Sequence, residues 1–155
     1  MTRVVHTATR IVTCDPSRGG ALGVVLDGAI AIEDGCVAWI GPRDQAPSDV
    51  TAIDHGDHVL TPGLVDAHTH ACWTGSRHGE YAVRMAGGDY EAIAKAGGGI
   101  LSSYRSVAAA THEVLRDELA ARLRRMALLG ATTVEVKSGY GLDPDGERKQ
   151  LEVIA

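Results

Sequence analysis

The chain has 155 residues, of which 45% are hydrophobic, and a formal net charge of −5. This composition supports an ordinary buried core and excludes a largely disordered chain. Because the charge is acidic and no basic stripe is present, we expect no nucleic-acid partner. No apolar run reaches about 18 residues and no signal-peptide pattern is found, so we expect no membrane association and a cytoplasmic location.

Residues 1–60 carry short β-branched runs separated by turn residues. This pattern predicts a small all-β, sandwich-like unit at residues 1–60. The dipeptide Asp34-Gly35 indicates a hairpin, because a two-residue turn needs positive φ at both positions. The predicted strands are Arg3–Val5, Ile11–Cys14, Gly28–Ile32, Val37–Ile40 and Val50–Ile53.

Residues 61–155 change to an alternation of strand and helix. A strand is predicted at Leu64–His70, a glycine-rich region follows, and a long helix at His112–Leu129 leads to a strand at Thr132–Lys137. Another helix begins after Gly141. This order predicts parallel strands and an α/β fold, namely a partial (β/α)₈ TIM-type barrel after the β unit. A complete barrel needs about 250 residues, so we expect a fragment of a longer enzyme.

The sequence signal with the clearest chemistry is the pair His68 and His70 at the end of a strand. Residues two apart on a strand project to the same face, so both imidazoles can bind one ion. Zinc, iron, nickel and copper all accept imidazole ligands, so the pair alone does not choose the metal. Two histidines at a strand end can also simply point into solvent.

The preceding Thr61-Pro62-Gly63-Leu64-Val65-Asp66 and the upstream β unit make this segment similar to the start of the barrel in metal-dependent amidohydrolases. Two further blocks, Gly97-Gly98-Gly99-Ile100 and Val136-Lys137-Ser138-Gly139-Tyr140-Gly141, narrow the resemblance to the imidazolonepropionases. These blocks are not general to the amidohydrolase superfamily. The resemblance covers nearly the entire chain.

The resemblance implies hydrolysis of the cyclic amide 4-imidazolone-5-propanoate to N-formimidoyl-L-glutamate in histidine breakdown. It implies one divalent or trivalent metal ion, zinc or iron, held partly by His68 and His70. Arg77 would bind the propionate of this small-molecule substrate and Tyr140 would contact the substrate. The other metal ligands and the general base are expected beyond Ala155, so no further catalytic residue is expected here and the chain alone should be inactive. The resemblance leaves room for a homodimer of the full-length protein.

Several alternatives stay open at this stage. Arg77 could be a solvated loop residue and Tyr140 a packed aromatic. The glycines Gly97–Gly99 either offer N–H groups to an anion or allow a sharp chain reversal. Lys137 is expected to pair with Glu135 or Asp66 rather than to bridge two metals. The chain could also come from a ring deaminase of the same superfamily, or from a non-catalytic metal-binding or scaffold homologue.

Overall fold

The structure is a computed structural model that describes residues 3–155. The chain divides into two compact units, Met1–Pro62 and Gly63–Ala155, which are described separately. Across the described residues, no helix combines the length and the apolar character needed to cross a membrane.

The first unit is a five-stranded sheet. Its strand order is β3-β2-β1-β4, and β5 also pairs with β1. The strands are β1 (Arg3–Val12), β2 (Val24–Glu33), β3 (Cys36–Pro42), β4 (Ala52–Asp54) and β5 (Val59–Leu60). Short 3₁₀ helices lie at Pro16–Arg18 and Arg43–Gln45. The all-β character predicted from the sequence is therefore observed.

Strand β1 corrects one detail of the sequence prediction. The two predicted strands Arg3–Val5 and Ile11–Cys14 are one continuous strand, which pairs with β2 from Arg3 opposite Glu33 to Val12 opposite Val24. Pairing with β2 continues through the middle section, where Ala8 lies opposite Gly28 and Arg10 opposite Leu26. Cys14 lies outside it, at a φ of 57°.

The hairpin between β2 and β3 confirms the predicted turn. Asp34 has a φ of 48° and Gly35 a φ of 81°, as a tight hairpin turn requires. The hairpin brings Ala29 and Ala31 into the small core of this unit, where they meet Val5.

The second unit contains two parallel strands and five helices. Strands β6 (Leu64–Thr69) and β7 (Ala131–Val136) pair in parallel. The helices are α1 (His78–Met85), α2 (Tyr90–Lys95), α3 (Ile100–Ala109), α4 (His112–Leu128) and α5 (Pro144–Ile154). Parallel strands joined through helices confirm the predicted α/β fold class. Helices α1, α2 and α3 lie in the region for which the sequence predicted only glycine-rich chain.

Helix α4 follows its predicted pattern closely. The Thr111 hydroxyl accepts a hydrogen bond from the Val114 N–H at 3.2 Å, and Gly130, just beyond the helix, has a φ of 97°. Leu115 and Leu119 are buried at 0% and 5% exposure in the main core of the unit, which Ala71, Cys72, Val107 and Val153 share.

Arg122 on α4 is buried, which the sequence did not predict. Its Nη1 donates to the carbonyl oxygens of Ala71 at 2.9 Å and Trp73 at 2.6 Å, and its Nη2 donates to Glu118 at 2.9 Å. The guanidinium lies 3.6 Å from the centroid of the Trp73 ring. Arg122 therefore ties α4 to the segment that follows β6.

Replacing Leu115 with alanine should destabilise the protein by about 2–5 kcal/mol, because the side chain is completely buried and the cavity left behind cannot fully collapse. Urea unfolding measures the loss. The matched control is Leu128→Ala on the same helix, where the side chain is 87% exposed and the change should stay within about 0.5 kcal/mol. Equal losses for the two variants would contradict this assignment of the core.

Candidate active site

The two predicted metal ligands lie side by side at the end of β6. The ring centroids of His68 and His70 are 5.5 Å apart, with their planes at 67°. Both side chains are exposed. A donor set of two imidazoles fits zinc, iron, nickel or copper. Within residues 3–155, no group of three or more His, Cys, Asp or Glu side chains could hold a metal ion, so a metal bound by the pair would need further ligands.

The loop after β7 packs directly against His70. The Tyr140 ring lies 5.8 Å from the His70 ring, edge to face at 62°. A Cβ at Gly139 would meet His70 Cε1 at 2.8 Å, and the φ of Gly139 is 135°. Position 139 therefore requires glycine for two reasons, the close approach of the imidazole and the backbone conformation.

Gln150 on α5 fixes this loop from the other side. Its side chain is completely buried. Its Oε1 accepts hydrogen bonds from the Gly139 N–H at 3.1 Å and the Tyr140 N–H at 2.9 Å, and its Nε2 donates to the Cys72 carbonyl. One amide thus links the loop after β7 to Cys72, two residues after His70.

Glu147, one helical turn before Gln150, holds the rest of the loop. Its Oε1 accepts from the N–H groups of Gly141 at 2.7 Å and Leu142 at 2.9 Å. Partial burial acts to raise the pKa of Glu147, but hydrogen bonds from Ser138 and from the loop N–H groups outweigh it and hold the pKa below its ordinary value. The carboxylate is therefore charged at neutral pH, as its role as a double acceptor requires.

Lys137 and Glu135, at the end of β7, form the predicted ion pair. Hydrogen bonding to the Lys137 ammonium is the largest cause that holds the pKa of Glu135 below its usual range, and the charges of Lys137 and His68 act in the same direction. The expectation that Lys137 pairs with Glu135 is confirmed. The Lys137 ammonium is thus paired with Glu135 at the adjacent end of β7.

Arg77 and Tyr140, the two predicted substrate-binding residues, line the same cavity. It has a volume of about 270 Å³, and its wall includes Trp73 and the three serines of α3, Ser102, Ser103 and Ser106. The structure therefore brings together the predicted residues in a chain of neighbours, from His68 through His70 and Tyr140 to Arg77. The hydroxyl groups and the guanidinium give the cavity hydrogen-bond donors suited to a small polar anion.

Sequence reasoning missed the residues that hold this site in place. Glu80, Glu147 and Gln150 lie on helices, and their carboxylate or amide oxygens accept backbone N–H groups of the site loops. Glu80 carried a detectable signal, since it lies three positions after Arg77, the spacing at which helical side chains meet. Gln150 carried none, because a single glutamine in an amphipathic helix does not reveal its burial.

No protein-family model matches the chain. Solved structures similar to it are amidohydrolases: Escherichia coli guanine deaminase, with a TM-score of 0.61 and 19% identity, covers 99% of this chain and 34% of its own. A guanine deaminase from C. acetobutylicum gives a TM-score of 0.60 at 13% identity, with 99% and 33% coverage. At such low identity these similarities show the fold alone, which is that of part of a TIM-type barrel.

The sequence relatives give a closer similarity than the solved structures do. Imidazolonepropionase of Shewanella amazonensis is 48% identical over 147 residues, which is 92% of this chain and 36% of the relative. That of Paracoccus denitrificans is 46% identical over 154 residues, which is 97% of this chain and 38% of the relative. The resemblance to imidazolonepropionases is thereby confirmed over nearly the whole chain, which spans a little over a third of the length of these relatives.

Replacing Gln150 with leucine should destabilise the protein by about 2–4 kcal/mol. The change keeps the volume but leaves the Gly139 and Tyr140 N–H groups and the Cys72 carbonyl without their partner, and each buried unsatisfied group costs about 1–3 kcal/mol. Chemical unfolding measures the loss.

The control for this prediction is Arg148→Leu on the same helix. Arg148 is exposed and pairs only across the surface with Asp145, at 3.1 Å, so its replacement should change stability by no more than about 0.5 kcal/mol. A Gln150→Leu protein as stable as the parent would show that the loop does not depend on this amide.

Proposed function

We propose that the chain is the part of an imidazolonepropionase that supplies two metal ligands and the substrate's carboxylate-binding residue. The identities to imidazolonepropionases over nearly the whole chain support this function. The geometry that carries it is the position of Tyr140, whose ring lies 5.8 Å from that of His70 while its side chain lines the same cavity as Arg77. A histidine pair and an anion-binding group thus flank one space.

In this proposal, His68 and His70 hold a single metal ion together with ligands from outside the chain. When bound there, the metal would polarise the ring carbonyl of the substrate and lower the pKa of a bound water. Water adds to the carbonyl carbon of 4-imidazolone-5-propanoate, the amide C–N bond of the ring breaks, and the ring nitrogen leaves with a proton. The product is N-formimidoyl-L-glutamate.

The residues of this chain contribute orientation. Arg77 can bind the propionate through two parallel hydrogen bonds, which fixes both the position and the direction of the substrate. Tyr140 lies between that anchor and His70, so its ring bounds the space where the imidazolone would lie. The general base comes from outside the chain in this scheme.

The proposal includes three finer points taken from the sequence. The metal is zinc or iron, the enzyme is cytoplasmic, and the full-length protein leaves room for a homodimer. An adenosine deaminase from Xanthomonas campestris, solved with bound zinc, is similar in fold at a TM-score of 0.52 and 18% identity. That structure supports a metal-binding fold and leaves the choice between zinc and iron as a prediction.

The full-length protein that carries this chain should contain one zinc or iron ion, measured by metal analysis after dialysis. His68→Ala and His70→Ala should each weaken metal binding by more than about tenfold, because each removes a direct ligand. His112→Ala is the control, since His112 pairs with Glu152 at 3.0 Å between two helices and should retain the full metal content. Full metal content in both ligand variants would contradict the assignment.

Arg77→Ala in the full-length enzyme should raise the KM for imidazolonepropionate by about 10- to 100-fold, since a hydrogen bond to a charged group contributes about 1.5–3 kcal/mol. Steady-state kinetics measure the effect, and Arg124→Ala on the exposed face of α4 should leave the KM unchanged. An unmodified protein that deaminates a purine ring and does not open imidazolonepropionate would overturn the proposed function.

A further inference from the structure

We infer that Glu80 is a positioning residue that orients the Arg77 guanidinium for carboxylate binding. The inference rests on the proposed function and adds to it a residue that never touches the substrate. Its basis is two hydrogen bonds and an ion-pair contact that join α1, the loop before it and the glycine turn before α3.

The Glu80 carboxylate uses both of its oxygens. Oε2 accepts a hydrogen bond from Arg77 Nε at 2.8 Å, and Arg77 Nη2 lies 2.7 Å from the same oxygen in the ion pair. Oε1 accepts from the Gly99 N–H at 2.9 Å. The side chain of Glu80 is 19% exposed and that of Arg77 is 40% exposed, so the carboxylate is the more enclosed member of the pair. The arginine is therefore held by an acceptor that is itself fixed from a second side.

This arrangement leaves the opposite edge of the guanidinium for a ligand. A guanidinium carries five N–H donors in one plane; here the Nε–H donates to Glu80, and Nη2 lies close to the same oxygen. The remaining donors lie on Nη1 and Nη2, the edge that forms a bidentate pair with a carboxylate. Arg77 also lines the cavity that Tyr140 borders. Glu80 thus fixes the plane of the guanidinium through Nε and Nη2 and leaves Nη1 for a ligand.

The glycine turn is shaped around the Glu80 carboxylate. A Cβ at Gly98 would lie 2.9 Å from Glu80 Oε1 and 2.8 Å from Ile93 Cγ2, and Gly99 has a φ of 70°. The sequence left open whether Gly97–Gly99 offer N–H groups to an anion or allow a chain reversal; the positive φ values of Gly97 and Gly99 fit a reversal, and the Gly99 N–H donates to Glu80. The acceptor is a carboxylate of the protein itself, so this hydrogen bond holds the turn in place and does not bind substrate.

An ordinary surface ion pair looks different in the same unit. Glu91 and Lys95 on α2 are each 74% exposed and make one contact of 2.8 Å. Glu80 accepts hydrogen bonds from Arg77 and from the Gly99 N–H, and its side chain is only 19% exposed. The Arg77 hydrogen bond is the largest cause that holds the pKa of Glu80 below its ordinary value, so the carboxylate stays charged throughout the neutral range. The pair Glu91 and Lys95 therefore provides a matched control for Glu80 and Arg77.

Two effects of Glu80 on a bound substrate carboxylate oppose each other. Its negative charge repels the ligand, while its hydrogen bonds remove the rotamer freedom that Arg77 would otherwise lose on binding. We infer that orientation outweighs repulsion, because the contacts with Glu80 involve Nε and Nη2 and leave Nη1 for a ligand, and because the pair is partly exposed to water, which screens the charge. The two effects predict opposite changes in KM, so the experiment separates them.

The experiment measures steady-state hydrolysis of imidazolonepropionate by the full-length enzyme and its variants. Glu80→Gln should raise the KM by about 2- to 10-fold, the cost of ordering one long side chain, with kcat changed less than about twofold. Glu80→Asp keeps the charge but is one methylene shorter, so it should also raise the KM, and it serves as the second variant if Glu80→Gln folds poorly. Glu91→Gln should leave both constants unchanged.

A double-mutant cycle identifies the route of the effect. In an Arg77→Ala background, Glu80→Gln should produce no further rise in KM, because the residue that it positions is gone. A KM that stays constant or falls in Glu80→Gln would overturn the inference, as would an equal rise with and without Arg77. If the unmodified enzyme does not turn over the substrate at all, the proposed function fails instead, and the two failures are thus distinguishable.

Discussion

The hydrogen bonds of one buried glutamine hold the two site-bearing segments together. Gln150 accepts hydrogen bonds from the backbone of the loop after β7 and donates one to the carbonyl of Cys72. A single amide therefore links that loop to the segment that follows the histidine pair. A buried amide is favourable only when its partners are in place. The buried Gln150 side chain of α5 therefore fixes the loop that carries Tyr140, and the shape of this loop does not depend on a ligand.

Charged groups around the site are arranged as local pairs. Lys137 meets Glu135, Arg77 meets Glu80, and Arg122 lies over the Trp73 ring with its donors on backbone carbonyls. A pair of opposite charges costs less to enclose than a single charge. Each of these cations is held at a fixed place, and Arg77 differs from Lys137 and Arg122 because it also lines the cavity.

The parts of the structure that the sequence predicted are those governed by a local rule. The alternation of side chains along a strand predicted that His68 and His70 lie together. The capping residues Thr111 and Gly130 predicted the ends of α4, and Asp34-Gly35 predicted a hairpin. Helices α1 to α3 escaped prediction because they are short and separated by glycines, which hide the helical period. The burial of Arg122 and Gln150 depends on contacts with residues about 50 and 78 positions away, which no local pattern encodes. The continuity of β1 depends likewise on its partner strand.

The position of Trp73 has a spectroscopic consequence. Its indole borders the cavity and stacks under the guanidinium of Arg122, whose charge lies 3.6 Å from the ring centroid. Indole emission responds both to a nearby charge and to the displacement of water. The chain contains one other tryptophan, Trp39, which lies in the β unit. In a Trp39→Phe variant, the tryptophan fluorescence of this segment would come from Trp73, whose ring lines the cavity, and would report on changes there.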